Sequence, residues 1–183
     1  MSFLSFIRYF FAVRPDPSCA AEIGRVRDLA GPYGSPVTDD RLHTTLGIVA
    51  EVDRPVPEIP AWAQKALGNH LFEGFPFALT RLDAQRDIAI LLPGGRQPGV
   101  KALQAGLFQR LNGYGVEIRD PRKYRPHMTL GYNPKRLDRR PIKPVGWFAD
   151  QIVLIESWVG KGIHRTVGSW SLIPPAQYSF DFE

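Results

Sequence analysis

Cysteine is nearly absent: the 183 residues hold one, with two methionines and four histidines. Cys19 has no partner for an internal disulfide, so nothing in the chain asks for an oxidising compartment. It stands in "DPSCAAEIG", the opening of a helix, with no nucleophile pattern around it. No stretch of about 18 uninterrupted apolar residues occurs, which excludes a membrane-crossing helix. The apolar opening is broken by Arg8, has no basic segment before it, and runs into the polar "RPDPSC" rather than a small-residue cleavage site. A cytoplasmic protein without membrane attachment is therefore expected. A P-loop and a nucleotidyl-transfer lysine motif are both missing, so ATP-driven chemistry is not expected. No His, Cys and Asp cluster has metal-ligand spacing, and zinc wants three or four ligands. Neither a metal nor a cofactor is expected.

What is present is ordinary for a globular chain: 44% hydrophobic and 22% charged residues, with a net charge of +5. The length fits one domain or two small lobes sharing a core. The positive excess is local. Residues 119–143 carry nine basic side chains (Arg119, Arg122, Lys123, Arg125, Lys135, Arg136, Arg139, Arg140, Lys143) against Asp120 and Asp138. Such a cluster suits a phosphate-bearing partner or a solvated basic surface.

Punctuation by Gly, Pro and Asp divides the rest. "RYFFAVRP" reads as a strand stopped by proline, and Asp16–Ser18 as the cap of a helix reaching Gly31. "GPYGSPVTDD" reads as loop, 42–52 as a strand and 61–71 as a helix. Residues 75–85 and 87–93 read as two strands about a short turn. A helix with Val100, Leu103, Leu107 and Leu111 at near-helical spacing follows, then a strand at "PHMTLGYN" and a final pair at 150–160 and 164–173. The order is β-α-β-α-β-β-α-β-β-β, with no linker long enough to separate independent domains.

Within that order one phrase occurs twice. "RLHTTLGIV" occupies 41–49 and "RPHMTLGYN" occupies 125–133. With six threonines and seventeen leucines in the chain, Thr at +2 and Leu at +3 after a given histidine is about a 1 in 300 event by composition. Two hits among four histidines is on the order of 1 in 10,000, which favours an internal duplication over coincidence. In a strand, positions i and i+2 share a face. His43 with Thr45, and His127 with Thr129, therefore point one way, while Thr44 and Met128 point the other. If the halves pack about a pseudo-twofold axis, two imidazoles and two hydroxyls meet in one cleft. That set suits a phosphodiester. One histidine can activate water while the other protonates the leaving oxygen, and threonine hydroxyls can donate to the phosphate oxygens.

The paired H-x-T strands resemble the two-histidine (2H) phosphoesterase superfamily, and within it the bacterial RNA 2′,3′-cyclic phosphodiesterases, also called 2′-5′ RNA ligases. The likeness runs through "RYFFAVRP", "RLHTTLGIVAEV", "FPFALTRL", "YRPHMTLGY" and "IVLIESWVGKGIHRTVGSWSL". It implies an α+β fold occupying 1–183 as one bilobal domain: two pseudo-symmetric antiparallel sheets facing a central cleft, with helices on the outer faces. It also implies metal-independent attack on a 2′,3′-cyclic phosphate to leave a 2′-phosphate. His43 would be the proton donor at the 3′ oxygen, His127 the acceptor from water, and Thr45 and Thr129 the holders of the phosphate oxygens. Relatives often carry a basic residue shortly after the second motif; here Tyr132 stands there, with Lys135 and Arg136 the nearest cations. The substrate implied is RNA or a nucleotide with a cyclic phosphate end. Other members' substrates, ADP-ribose 1″,2″-cyclic phosphate or 2′-5′-linked oligonucleotides, stay open, as does an RNA-binding module without turnover. No obligate protein partner is implied, and nothing demands more than a monomer.

Around the motifs, Phe11 either lines the cleft and stacks on a base, as its family counterpart implies, or packs in the core. Arg125 alternates onto the face of His127 and either meets a phosphate or sits in solvent. Lys123 and Tyr132 are further binding candidates. His70 at a helix end reads as structural, His164 as a surface or capping residue in a turn, and Trp158 and Trp170 as core.

Overall fold

The computed structural model describes residues 6–114, 124–136 and 138–174. Its strands are β1 Ile7–Val13, β2 Tyr33–Pro36, β3 Thr44–Val52, β4 Phe75–Gln85, β5 Ile88–Pro93, β6 Met128–Pro134, β7 Arg140–Ala149, β8 Gln151–Trp158 and β9 Ile163–Ser171. The helices are α1 Pro17–Ala30, α2 Glu58–Leu67 and α3 Pro98–Asn112, with a short 3₁₀ turn at Asp39–Arg41. This is the expected α+β class.

The strands run β7-β4-β5-β6-β3-β1-β8-β9 in one curled antiparallel sheet, with β2 paired to β6 at the side. One half of this sheet, β7-β4-β5-β6, carries the second motif; the other, β3-β1-β8-β9, carries the first and is completed by the last two strands of the chain. The halves join at the motif strands, through the single registered pair Thr44↔Met128. Two strands go beyond the sequence pattern: β2 lies in the stretch that reads as loop, and β7 in a stretch to which the pattern assigns no element. β2 is a four-residue edge piece of Tyr, Gly, Ser and Pro. β7 contains Pro141 and Pro144 and lies at one end of the strand order, where a missing N–H costs no ladder bond.

Helices cover the outer face. Asp16 caps α1 by accepting from the Cys19 backbone N–H at 2.9 Å, with Pro17 in the first turn. α1 packs on β7 and the 3₁₀ turn, α2 on β9 and α3, and α3 across β3 and β4. Val100, Leu103, Leu107 and Leu111 are the buried stripe of α3. The parity of β1 shows how the layers divide. Ile7, Tyr9, Phe11 and Val13 enter the large core under the helices, whereas Phe10 and Ala12 join Ile48, Val153 and Ile155 in a small cluster on the concave face.

Candidate active site

Both motifs enter their strands in the same way. His43 directly precedes β3 and His127 directly precedes β6. The Nδ1 of His43 lies 2.7 Å from the carbonyl of Arg41, and the Nδ1 of His127 lies 2.9 Å from the carbonyl of Arg125. A carbonyl only accepts, so each Nδ1 carries the hydrogen and donates, and Nε2 is the nitrogen left for the cleft. The same i−2 contact in both halves fixes both tautomers alike.

The Leu-Gly that closes the repeat has a structural role. The register of β1 on β3 passes from Ala12↔Thr45 to Phe11↔Gly47, leaving Leu46 unopposed. The register of β5 on β6 passes from Ile90↔Thr129 to Ala89↔Gly131, leaving Leu130 unopposed. Each motif strand thus bulges at its leucine, whose side chain is buried at 1% or less exposure. The displaced carbonyls take outside donors. Gln104 on α3 gives its Nε2–H to Leu46 at 3.0 Å, and the Val37 N–H donates to Leu130 at 2.9 Å.

His43, Thr45, His127 and Thr129 line one cleft of about 490 Å³, within the range of small-molecule sites. Antiparallel register about Thr44↔Met128 sets position 43 across from 129 and 45 across from 127. Each histidine therefore neighbours the threonine of the other motif. Thr44 and Met128 are fully buried on the opposite face. The 3₁₀ turn that delivers His43 is clamped to α1. Arg27 Nη1 donates to the Val37 carbonyl at 2.6 Å and pairs with Asp39 at 2.7 Å. A Cβ on Gly24 of α1 would stand 2.6 Å from the Asp39 carboxylate, so glycine is what allows this close approach.

Two of the cleft histidines are held neutral by their surroundings. Burial, then the charges of His164, Arg14 and His127, push His43 down to about 4, against the supporting hydrogen bond to Arg41. Burial, then Arg41 and Arg14, push His164 down to about 4, with Asp40 opposing. Among the described residues no group of three or more His, Cys, Asp or Glu is placed to hold a metal ion. Cys19 lies in α1 away from the cleft, and burial pushes its thiol up to about 11.

Four residues lie elsewhere than their sequence pattern implies. Phe11 is not at the cleft: it is fully buried, with its ring 5.7 Å from that of Trp170, and Phe10 lines the cleft instead, 4.9 Å from His43 between ring centroids. Arg125 does not share the face of His127. It is exposed and off the cleft, because β6 begins only at Met128 and strand alternation does not reach back to 125. Its carbonyl is what serves the site. His164 is no surface cap: it lines the cleft with its ring 5.4 Å from His43. Trp158 also lines the cleft, with Lys161 over its ring at 5.0 Å, whereas Trp170 is core. Tyr132 is 42% exposed and lines the cleft. Lys123 lies outside the described residues. His70 packs its ring 4.3 Å from Phe72, far along the chain from both motifs and off the cleft.

His164 reaches the site because β9 pairs with β8, opposing it to Ser157, itself a lining residue. No local signal in "KGIHRTVG" announces this; only the register does.

Comparison with known proteins gives a family and a fold. The family model of the 2′-5′ RNA ligase superfamily matches residues 15–151. No curated protein matches at a significant level. Among solved structures, one described as a phosphoesterase superposes with a TM-score of 0.74 at 24% identity, covering 90% of this chain and 97% of that one. E. coli LigT complexed with 3′-AMP gives 0.72 at 21% identity, covering 92% and 98%. TT0787 of Thermus thermophilus gives 0.67 at 19% identity, covering 92% and 100%. At such identities these likenesses concern the fold.

Proposed function

The chain belongs to the 2′-5′ RNA ligase superfamily, a superfamily of phosphoesterases, and on that premise we propose that it opens RNA 2′,3′-cyclic phosphate ends to 2′-phosphates by two-histidine acid–base catalysis. The observation that carries this reading is the mirrored pinning of His43 and His127, each Nδ1 held by the carbonyl two residues back. Two Nε2 atoms are thereby presented to one cleft beside two threonine hydroxyls.

In this reading water attacks phosphorus in line with the 3′ oxygen, and His127 Nε2 takes its proton. The P–O3′ bond breaks as the new P–O bond forms, and His43 gives a proton to the departing 3′ oxygen. Phosphate stays on the 2′ oxygen, and the two histidines exchange protonation states and reset through solvent. Thr45 and Thr129 donate to the non-bridging oxygens as charge builds there. A 5′-hydroxyl in place of water gives a 2′-5′ linkage by the same steps, reversibly and without ATP.

His43 enters this cycle from a neutral free state, since burial holds it near 4. The anionic phosphate supplies the opposite charge that favours a second proton on Nε2. Substrate binding is then coupled to proton uptake at His43.

We place this activity in the cytoplasm, in a monomer read as one bilobal domain over 1–183, with RNA or a nucleotide as partner. Among the described residues no helix is long and apolar enough to cross a membrane. The test is incubation, in excess EDTA, with an oligoribonucleotide ending in a 2′,3′-cyclic phosphate, read by phosphorus NMR. A 2′-phosphate product supports the reading; an intact cyclic end, or a 3′-phosphate, overturns it.

A further inference from the structure

Near the end of the cleft that carries the first motif, Arg14, Arg41 and His164 each keep a buried nitrogen without a hydrogen-bond partner among the described residues. Arg41 lines the cleft half-buried, its carbonyl engaged by His43. Its Nε is sealed from water and makes no hydrogen bond. Its Nη1 reaches the turn between β8 and β9, lying 3.5 Å from where a Cβ on Gly162 would stand. His164 lines the same wall, with its Nδ1 sealed and unpaired. Arg14, at the end of β1, has its Nε sealed and unpaired as well. Neither arginine has an ion-pair partner among the described residues. Asp40 is the one carboxylate that acts on Arg14 and His164, and it is exposed.

Partly buried cations without a counter-ion are costly, and the usual resolution is an anion. A guanidinium beside an imidazole fits one well: Arg offers several donors in a fixed fork matched to phosphate oxygens, and His adds another. The central phosphate already has its own surroundings at Thr45, Thr129 and the Nε2 edges of the two histidines. The Arg41 guanidinium lies away from that centre, against the turn at Gly162, while its carbonyl holds His43 Nδ1. The corner is also one-sided. Arg125, the equivalent of Arg41 in the second motif, is exposed and off the cleft.

We propose that Arg41 and His164 form a second anion subsite, which takes a substrate phosphate other than the one being attacked. The site would thus favour a cyclic end carried on a further phosphate, as in an oligoribonucleotide, over a nucleoside 2′,3′-cyclic monophosphate. It would also give the near-symmetric cleft a direction, because the polyanion runs from the centre toward Arg41. This assignment rests on the function proposed above, and it supplies a cation where Tyr132 replaces the basic residue expected after the second motif. Contacts of this kind read phosphate, so the preference is independent of base.

The test is equilibrium binding at low salt and pH 7 of adenosine 2′-monophosphate and adenosine 2′,5′-bisphosphate, which differ by one phosphate at the position an oligonucleotide chain would occupy. The wild type is expected to bind the bisphosphate about tenfold more tightly or better. Arg41→Gln is expected to bring the two ligands within about twofold to threefold, with Arg41→Lys retaining some of the difference. Gly162→Asp, which sets a carboxylate beside Arg41, is expected to erase the preference by neutralising the corner. A wild type without preference overturns the subsite. So does an Arg41→Gln variant that melts like wild type yet weakens both ligands equally, since Arg41 would then serve the central phosphate. Binding needs no turnover. A preference lost in Arg41→Gln, in a protein that leaves cyclic ends intact, would overturn the proposed reaction and keep the subsite.

Discussion

Thr44 on β3 is bridged to Met128 on β6, and this pair brings the two motifs together. Both residues face the core, so their neighbours on either side face the cleft. The antiparallel register then interleaves the working groups, His43 across from Thr129 and His127 across from Thr45. A central phosphate meets an imidazole and a hydroxyl from different motifs on each side. Thr45→Val and Thr129→Val keep shape and remove one donor. Each is expected to lower kcat by about 10²-fold or more, with the Ser variants near wild type. Steady-state rates for the four variants check this, and a Val variant at wild-type rate speaks against phosphate stabilisation by that hydroxyl.

The bulge at Leu46 depends on a side chain 58 residues away in sequence, Gln104. Gln104 is 2% exposed, and its Nε2–H is the donor to the Leu46 carbonyl. Gln104→Leu leaves that carbonyl unpaired in the core, at a cost of about 1–3 kcal/mol. Urea unfolding measures it. A variant as stable as wild type would mean that the carbonyl finds another donor and that the bulge stands without α3.

Acid should weaken the fold through the cleft. His43 and His164 are held near 4, below the 6.5 of a free histidine. In the window from about 6.5 down to 4 the unfolded chain binds protons that the folded chain refuses. The stability these groups confer is complete above the window and is lost as pH falls through it. Each contributes a slope of up to about 1.4 kcal/mol per pH unit, less where solvent reaches the ring. Melting temperatures from pH 7.5 to 4 are expected to fall, and less steeply in His164→Asn. An equal slope in the two proteins contradicts the burial of His164.

Neighbouring phenylalanines on β1 should behave oppositely. Phe11→Ala empties a fully buried site and is expected to cost about 3–5 kcal/mol. Phe10 sits at the cleft against His43 and His164, at 4.9 and 6.1 Å between centroids, so Phe10→Leu is expected to act mainly on KM and kcat. Kinetics and unfolding on both variants separate the roles. Larger kinetic loss in folded Phe11→Ala than in Phe10→Leu would reverse the assignment.

The motif was readable because its chemistry is local. H-x-T needs only the two-residue period of a strand, and the repeat needs only counting. Helix α3 was readable from the spacing of its four buried apolar residues. β2 and β7 were not, because Gly and Pro signal turns and only a place on the sheet edge admits them as strands. Period alone divides Phe10 from Phe11 but does not say which face the helices cover. Arg41 and Arg125 read identically in sequence, and only the structure separates them: Arg41 ends the 3₁₀ turn clamped by Arg27 and lines the cleft, whereas Arg125 is exposed and off it. His164 and Trp158 join the site through the pairing of β8 with β9, beyond any local pattern.

The central claim is that His43 and His127 act as an acid–base pair on one phosphate. The most direct measurement is the single-turnover rate on a cyclic-phosphate oligoribonucleotide in EDTA for wild type, His43→Ala, His127→Ala and the double variant. Each single variant is expected to lose at least about 10³-fold, and the double variant little more than either, as groups acting in one step do. A single variant that keeps a tenth of the wild-type rate, or losses that simply multiply in the double variant, would contradict it.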